Sequence, residues 1–192
     1  RILRKGPFMA AKKEAVKQEE NVKPTPVPFT VGFNRSQSES IVYGSLILGI
    51  LFAVIGIVGN LPLLALAALA PLAIAFWHYP MIEKGKPQLG ANEDGLYVER
   101  IGFIDWAAIR MTDVKRTSVR NIELVRLDVL LTRSLDDAVT KAQTFPVWKK
   151  FMMRNWKRTP REHGRELIAI NLHTLAADPE EILSRIRAFK FV

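Results

Sequence analysis

Residues 41–79 contain no Lys, Arg, Asp or Glu. They read IVYGSLILGILFAVIGIVG, then Asn60, then LPLLALAALAPLAIAFWHY, so each apolar run is 19 residues long (41–59 and 61–79). A helix of about 20 apolar residues crosses the hydrocarbon core of a bilayer. The break between the runs is one polar residue. Pro62 follows it and suits the first turn of a helix, where its missing N–H has no partner to lose. These features predict two transmembrane helices joined by a tight turn. The rest of the chain is then what this hairpin holds at a membrane. Such a pattern speaks of architecture far more than of activity.

Charge sets the expected topology. The net charge is +9, with 8 of the 28 Lys and Arg in residues 1–40, none in the hairpin and 20 after residue 80. The positive-inside rule places both ends in the cytoplasm and the turn outside. A cationic balance suits nucleic acid or an anionic membrane face, and a membrane hairpin in the same chain favours lipid headgroups. The first apolar run begins some 40 residues in, which argues against a cleaved signal peptide. With no Cys in the sequence, disulfides and thiolate metal sites are excluded.

Three segments follow. Residues 1–40 read as a cytoplasmic tail, 41–80 as the hairpin and 81–192 as one cytoplasmic domain. Residues 1–8 precede Met9 and read as an upstream extension. Residues 10–20 read as a solvated, unstructured stretch, rich in Ala, Lys and Glu with almost no apolar face. Pro24, Pro26 and Pro28 alternate with other residues, which favours an extended strap. Phe29, Val31 and Phe33 alternate just after it and are expected to dip into the membrane interface.

In the first apolar run, Ser45, Gly49, Ala53 and Gly56 recur along one stripe. Helices in lipid associate where small residues let backbones approach. The stripe either packs on Ala65, Ala68, Ala73 and Ala75 of the second run or docks onto another membrane protein; the sequence weighs these evenly. Pro71 is expected to kink its helix. Phe76, Trp77 and Tyr79 form an aromatic belt at the exit, and His78 beside them reads as an interface residue.

Beyond a turn-rich link (80–95), residues 96–104 and 110–116 alternate as strands, with a turn or bulge at Gly102. Residues 122–132 form a strong strand whose phase slips near Val125, predicting a bulge there. Residues 133–143 read as a loop or short helix, and 166–172 as a further strand. At the end, Asp178 is a good N-cap with Pro179 behind it, and Ile182, Leu183, Ile186 and Phe189 make one apolar face. The expected class is an α-helical transmembrane hairpin plus an α+β domain, with the C-terminal amphipathic helix closing an open sheet. The run EDGLYVERIGFIDWAAIRMTDV resembles bacterial pleckstrin-homology-like (PH-like) domains at Asp94, Gly95, Gly102, Trp106 and Ile109. Over residues 41–190 the plan is similar to small bacterial membrane proteins with two transmembrane helices before such a domain. That resemblance implies a seven-stranded antiparallel β roll with a C-terminal helix, in the bacterial inner (plasma) membrane. It brings no catalytic residues, and the phosphoinositide signature of eukaryotic members is not recognisable.

Residues 144–165, TFPVWKKFMMRNWKRTPREHGR, fit a plain sheet domain poorly. They carry seven Lys and Arg against Glu162. As a helix over 146–158, they would set Trp148, Phe151, Met152 and Trp156 on one side, and Lys150, Arg154, Lys157 and Arg158, with Lys149 nearby, towards the other. That is the pattern of a helix lying in the membrane interface or docking on a partner's cytoplasmic face. An inserted core helix is the plainer alternative, and nucleic-acid binding ranks last and is not expected. No nucleotide loop, metalloprotease helix or paired-carboxylate motif is found, and His78, His163 and His173 are scattered. Asp136 and Asp137 are adjacent and diverge, so no metal site or cofactor is expected, and no enzyme. The reading is a non-catalytic accessory or scaffold subunit docking onto a larger integral-membrane complex, of photosynthetic or respiratory type for example. The alternative is a membrane-tethered module for anionic lipid headgroups.

Overall fold

A computed structural model describes residues 26–119 and 122–190. The extension 1–8, the stretch 10–20 and Pro24 lie outside the described residues. Within them the chain makes nine strands, two sheets and two long apolar helical segments.

The helical pair is α1 (Arg35–Val58), α2 (Pro62–Ala67) and α3 (Leu69–His78), continued by a 3-10 turn, Tyr79–Met81. Ser38–Val58 and Pro62–Met81, of 21 and 20 residues, are long and apolar enough to cross a membrane. The reversal between them is a hydrogen-bonded cap. Asn60 takes φ 54°, Leu61 N–H donates to Gly56 C=O at 2.7 Å and Asn60 N–H to Ile57 C=O at 3.2 Å. Asn tolerates this left-handed geometry, and the two bonds satisfy carbonyls a helix end leaves open. The second helix breaks at Ala68, one turn before Pro71, which lacks the N–H that would bond the Ala67 carbonyl.

One sheet has strand order β1-β2-β3-β4-β7: Phe29–Val31, Leu89–Asn92, Gly95–Val98, Gly102–Ile104 and Val139–Ala142. The other has order β5-β6-β9-β8: Ile109–Val119, Ile122–Leu131, Glu166–Asn171 and Trp156–Pro160. All pairings are antiparallel, and the sheets do not close into a barrel. The short helix α4 (Leu135–Ala138) leads into β7. Leu89, Leu96 and Ile104 of the first sheet and Leu127, Ile168 and Ile170 of the second are wholly buried in one core. Helix α5 (Pro179–Phe189) completes that core with Ile182, Leu183 and Ile186. Its N-cap is Asp178, whose carboxylate accepts from Glu180 N–H at 2.8 Å. Phe189 stacks on Trp106, with ring centroids 5.8 Å apart, and the Trp106 indole donates to Asn92 C=O.

Several expectations change. The sheets hold nine strands among the described residues rather than seven. Residues 29–33 do not form an interfacial tail: β1 is an edge strand, and Phe29 and Phe33 are each 7% exposed in the sheet core. Residues 96–104 are two strands: the turn lies at residues 99–101, with Arg100 at φ 67°, and Gly102 opens the second strand at φ 104°, where a Cβ would lie 1.9 Å from the Lys141 carbonyl oxygen. Pairing through Val125 is regular; the bulge lies on β5, between Ile109 and Met111. What resembled a phase slip in β6 is Leu124, half-buried on the face opposite Val125, Leu127 and Val129; Asp128 is buried on that same opposite face beneath Lys115 and Arg126.

Candidate membrane-interface site

Residues 146–158 are not a helix. They form a 3-10 turn (Val147–Phe151), an irregular link and then the edge strand β8. Asn155 holds the change of direction. It is 2% exposed, donates to Asn171 C=O at 2.9 Å and accepts from the Thr174 hydroxyl at 2.8 Å. Pairing with β9 then extends the chain from Trp156 onward, and tertiary hydrogen bonds override a helix-compatible spacing.

The apolar face expected there is therefore divided. Met152 is buried, and Trp156 packs against the sheet core while its indole donates to Glu99 C=O at 2.8 Å. Trp148 and Phe151 remain 46% and 67% exposed, joined by Val147 at 67%. The cations divide too. Lys149 is buried and pairs with Glu83 at 2.6 Å. Arg158 is held by Glu166 at 2.7 Å and Asp136 at 3.1 Å. Lys150, Arg154 and Lys157 are exposed, with no ion pair among the described residues; Arg154 lies 4.8 Å from the Trp156 ring centroid.

What fixes this turn is a latch against the hairpin exit. Met153 N–H donates to Trp77 C=O at 3.0 Å, joining the segment to the last turn of α3. Arg100, 9% exposed, donates to Met152 C=O at 3.0 Å and Met153 C=O at 2.6 Å. Its Nε lies 3.2 Å from the Glu99 carboxylate. Burial pushes the Glu99 carboxyl up from its ordinary range, against the opposing pull of Arg100 and Lys149. Tyr97 is raised as well, first by burial and then by the nearby Glu99 charge. A hairpin-to-sheet tie also forms at the start of α1, where Asn34 N–H donates to Thr174 C=O at 2.8 Å. The hairpin is thus fastened to the sheets at both of its roots.

Phe76, Trp77 and Tyr79 are 46%, 50% and 43% exposed at the exit, close to this turn. The small-residue stripe faces inward to the hairpin. Gly49 and Gly56 are buried; a Cβ on Gly49 would meet Leu72 at 2.7 Å, and one on Gly56 would meet the Ala65 backbone at 2.4 Å. Ser45 and Ala53 are half-buried beside them. Glu83, Glu99, Arg100 and Met153 carry the latch and were not singled out by sequence. Lys149 and Glu83 are 66 residues apart, so no local spacing announces them. Among the described residues no group of three His, Asp or Glu side chains is placed to hold a metal. No known family, curated protein or solved structure matches the chain.

Proposed function

We propose that the protein is a non-catalytic, membrane-tethered module whose PH-like sheet domain is seated on an anionic bilayer surface, with both termini on the cytoplasmic side of a bacterial plasma membrane. One observation carries the reading. The turn bearing Val147, Trp148 and Phe151 is bonded at Met153 to the exit of the second apolar helix, so its exposed apolar groups stand where such a helix leaves a bilayer. The cations Lys150, Arg154 and Lys157 stand in the same segment. Each would add about 1 kcal/mol near an anionic leaflet, screened as salt rises. The two sheets with a C-terminal helix and a stacked Trp106 support the PH-like plan.

A probe can be placed uniquely because the chain has no Cys. Val147→Cys carrying an environment-sensitive dye, in the full chain reconstituted into nanodiscs, reports immersion. Its emission should shift to the blue in discs containing phosphatidylglycerol. The shift should fall with salt and with Lys150→Glu plus Arg154→Glu. A label that stays in water in every disc would overturn the reading.

A second reading rests on the outer face of the first sheet. A largely apolar cleft of ≈ 390 Å³ opens there beside the β1 edge, lined by Pro28, Thr30, Pro87, Tyr97 and Phe103. It suits an accessory subunit docking onto a larger integral-membrane complex. Purification from native membranes in mild detergent tests it, and a lone monomer under all conditions would remove it.

A further inference from the structure

The hairpin does not close at the end that carries the sheets. Beyond the Gly49–Leu72 contact a groove of ≈ 550 Å³ opens between the two helices. Its walls are graded. Arg35 begins one wall, and Val42, Tyr43 and Leu46 follow along α1. Lys84 begins the other, followed by Tyr79, Phe76 and Leu72. Arg35 and Leu46 are separated by about 16 Å of helix at 1.5 Å per residue. Each wall thus begins at a cation, carries a phenol and ends in hydrocarbon, the polarity profile of one amphiphile lying along the helices.

Charge decides which amphiphile. Glu83 also lines the groove, but its carboxylate is engaged by Lys149 at 2.6 Å. Glu39 is engaged by Arg35 at 3.0 Å, while the Arg35 Nε is buried without a hydrogen-bond partner. Lys84 is exposed, with no ion pair among the described residues. The head of the groove is thus left with spare donors and one uncompensated positive charge. We propose that this groove holds one anionic glycerophospholipid, its phosphate on Arg35 and Lys84 and an acyl chain along Leu46, Leu72 and Phe76. The proposal rests on the reading of the helices as membrane-spanning, and it differs from surface seating: one lipid is held edge-on between helices rather than many lying under a turn.

The full chain should be reconstituted in nanodiscs with equal phosphatidylglycerol and phosphatidylcholine, released into mild detergent and weighed intact by native mass spectrometry. A one-to-one adduct with phosphatidylglycerol is expected. Arg35→Gln with Lys84→Gln should lower its occupancy about tenfold or more, the loss expected for hydrogen bonds to a charged group. Leu46→Trp should lower it with the charges intact; Leu46 is 39% exposed, so the larger ring has room to enter the groove. No adduct, equal retention of phosphatidylcholine, or an adduct undiminished in both variants would overturn the proposal. The dye at residue 147 separates the two ideas. Groove variants should leave its blue shift unchanged, whereas Lys150→Glu plus Arg154→Glu should reduce the shift and spare the adduct.

Discussion

The hairpin and the sheets bury their apolar side chains in opposite senses. In the sheets Leu89, Leu96, Leu127 and Ile168 are wholly enclosed, whereas in the helices Ile57, Val58 and Leu63 are 72%, 82% and 82% exposed. Removal from water drives the first arrangement. It cannot account for the second, where close approaches such as Gly56 against Ala65 and Gly49 against Leu72 join the helices. The contrast sets two helices long and apolar enough to cross a membrane beside a sheet domain with its own enclosed core, and the latch at Trp77 and Met153 joins the two.

The largest test of that contrast is side-chain truncation. Leu127→Ala should cost about 2–5 kcal/mol in denaturant unfolding of the full chain in nanodiscs, while Ile57→Ala should change stability by less than about 0.5 kcal/mol. Equal costs would erase the distinction. Next comes Gly56→Leu. Overpacking of this kind costs about 1–3 kcal/mol, and a spin-label pair across the hairpin should report helices pushed apart. Gly44→Ala is the control, since its Cβ meets nothing within 4 Å. Asp178→Ala should cost about 1 kcal/mol by uncapping α5 and leave the hairpin distances alone.

The smallest effect concerns Glu99. Its folded-state carboxyl is raised by burial, so the native state holds its proton more tightly than the unfolded chain. Its contribution to stability is then full below the unfolded carboxylate range and is lost as pH rises through the folded value. Glu99→Gln should stabilise the protein at neutral pH, with the advantage over wild type shrinking as pH falls towards 4. Arg100, Lys149 and Glu83 face the same carboxyl and should move its midpoint when replaced.

Legibility in the sequence followed the range of the forces involved. The helical pair was readable because a bilayer-length run without charge is a property of consecutive residues. Helix α5 was readable because Asp178 and Pro179 lie beside the face they start. β6 and β9 declared themselves by dense runs of Ile, Leu and Val. β1 did not: its three residues become a strand only by meeting Leu89, Gly90 and Ala91. β8 was misread because Trp148, Phe151, Met152 and Trp156 fall at helical spacing, while Asn155 and the β9 edge, both supplied by distant chain, decide otherwise. The latch was invisible for the same reason, since a buried Lys149 looks like any other lysine until Glu83 is brought beside it.

The pairing of β1 with β2 has a consequence for biogenesis. Phe29 emerges from the ribosome well before Ala91, its partner across the ladder, and the whole helical pair is made between them. The first sheet therefore cannot be finished until the hairpin has reversed direction and brought residues 89–91 back beside residues 29–31. A stalled chain ending short of residue 89 should leave residues 29–33 open to protease, and release should close them. Reversal of the hairpin would thus act as a checkpoint on assembly of the sheet domain: a chain that fails to bring its second apolar helix back beside the first also fails to complete its first sheet.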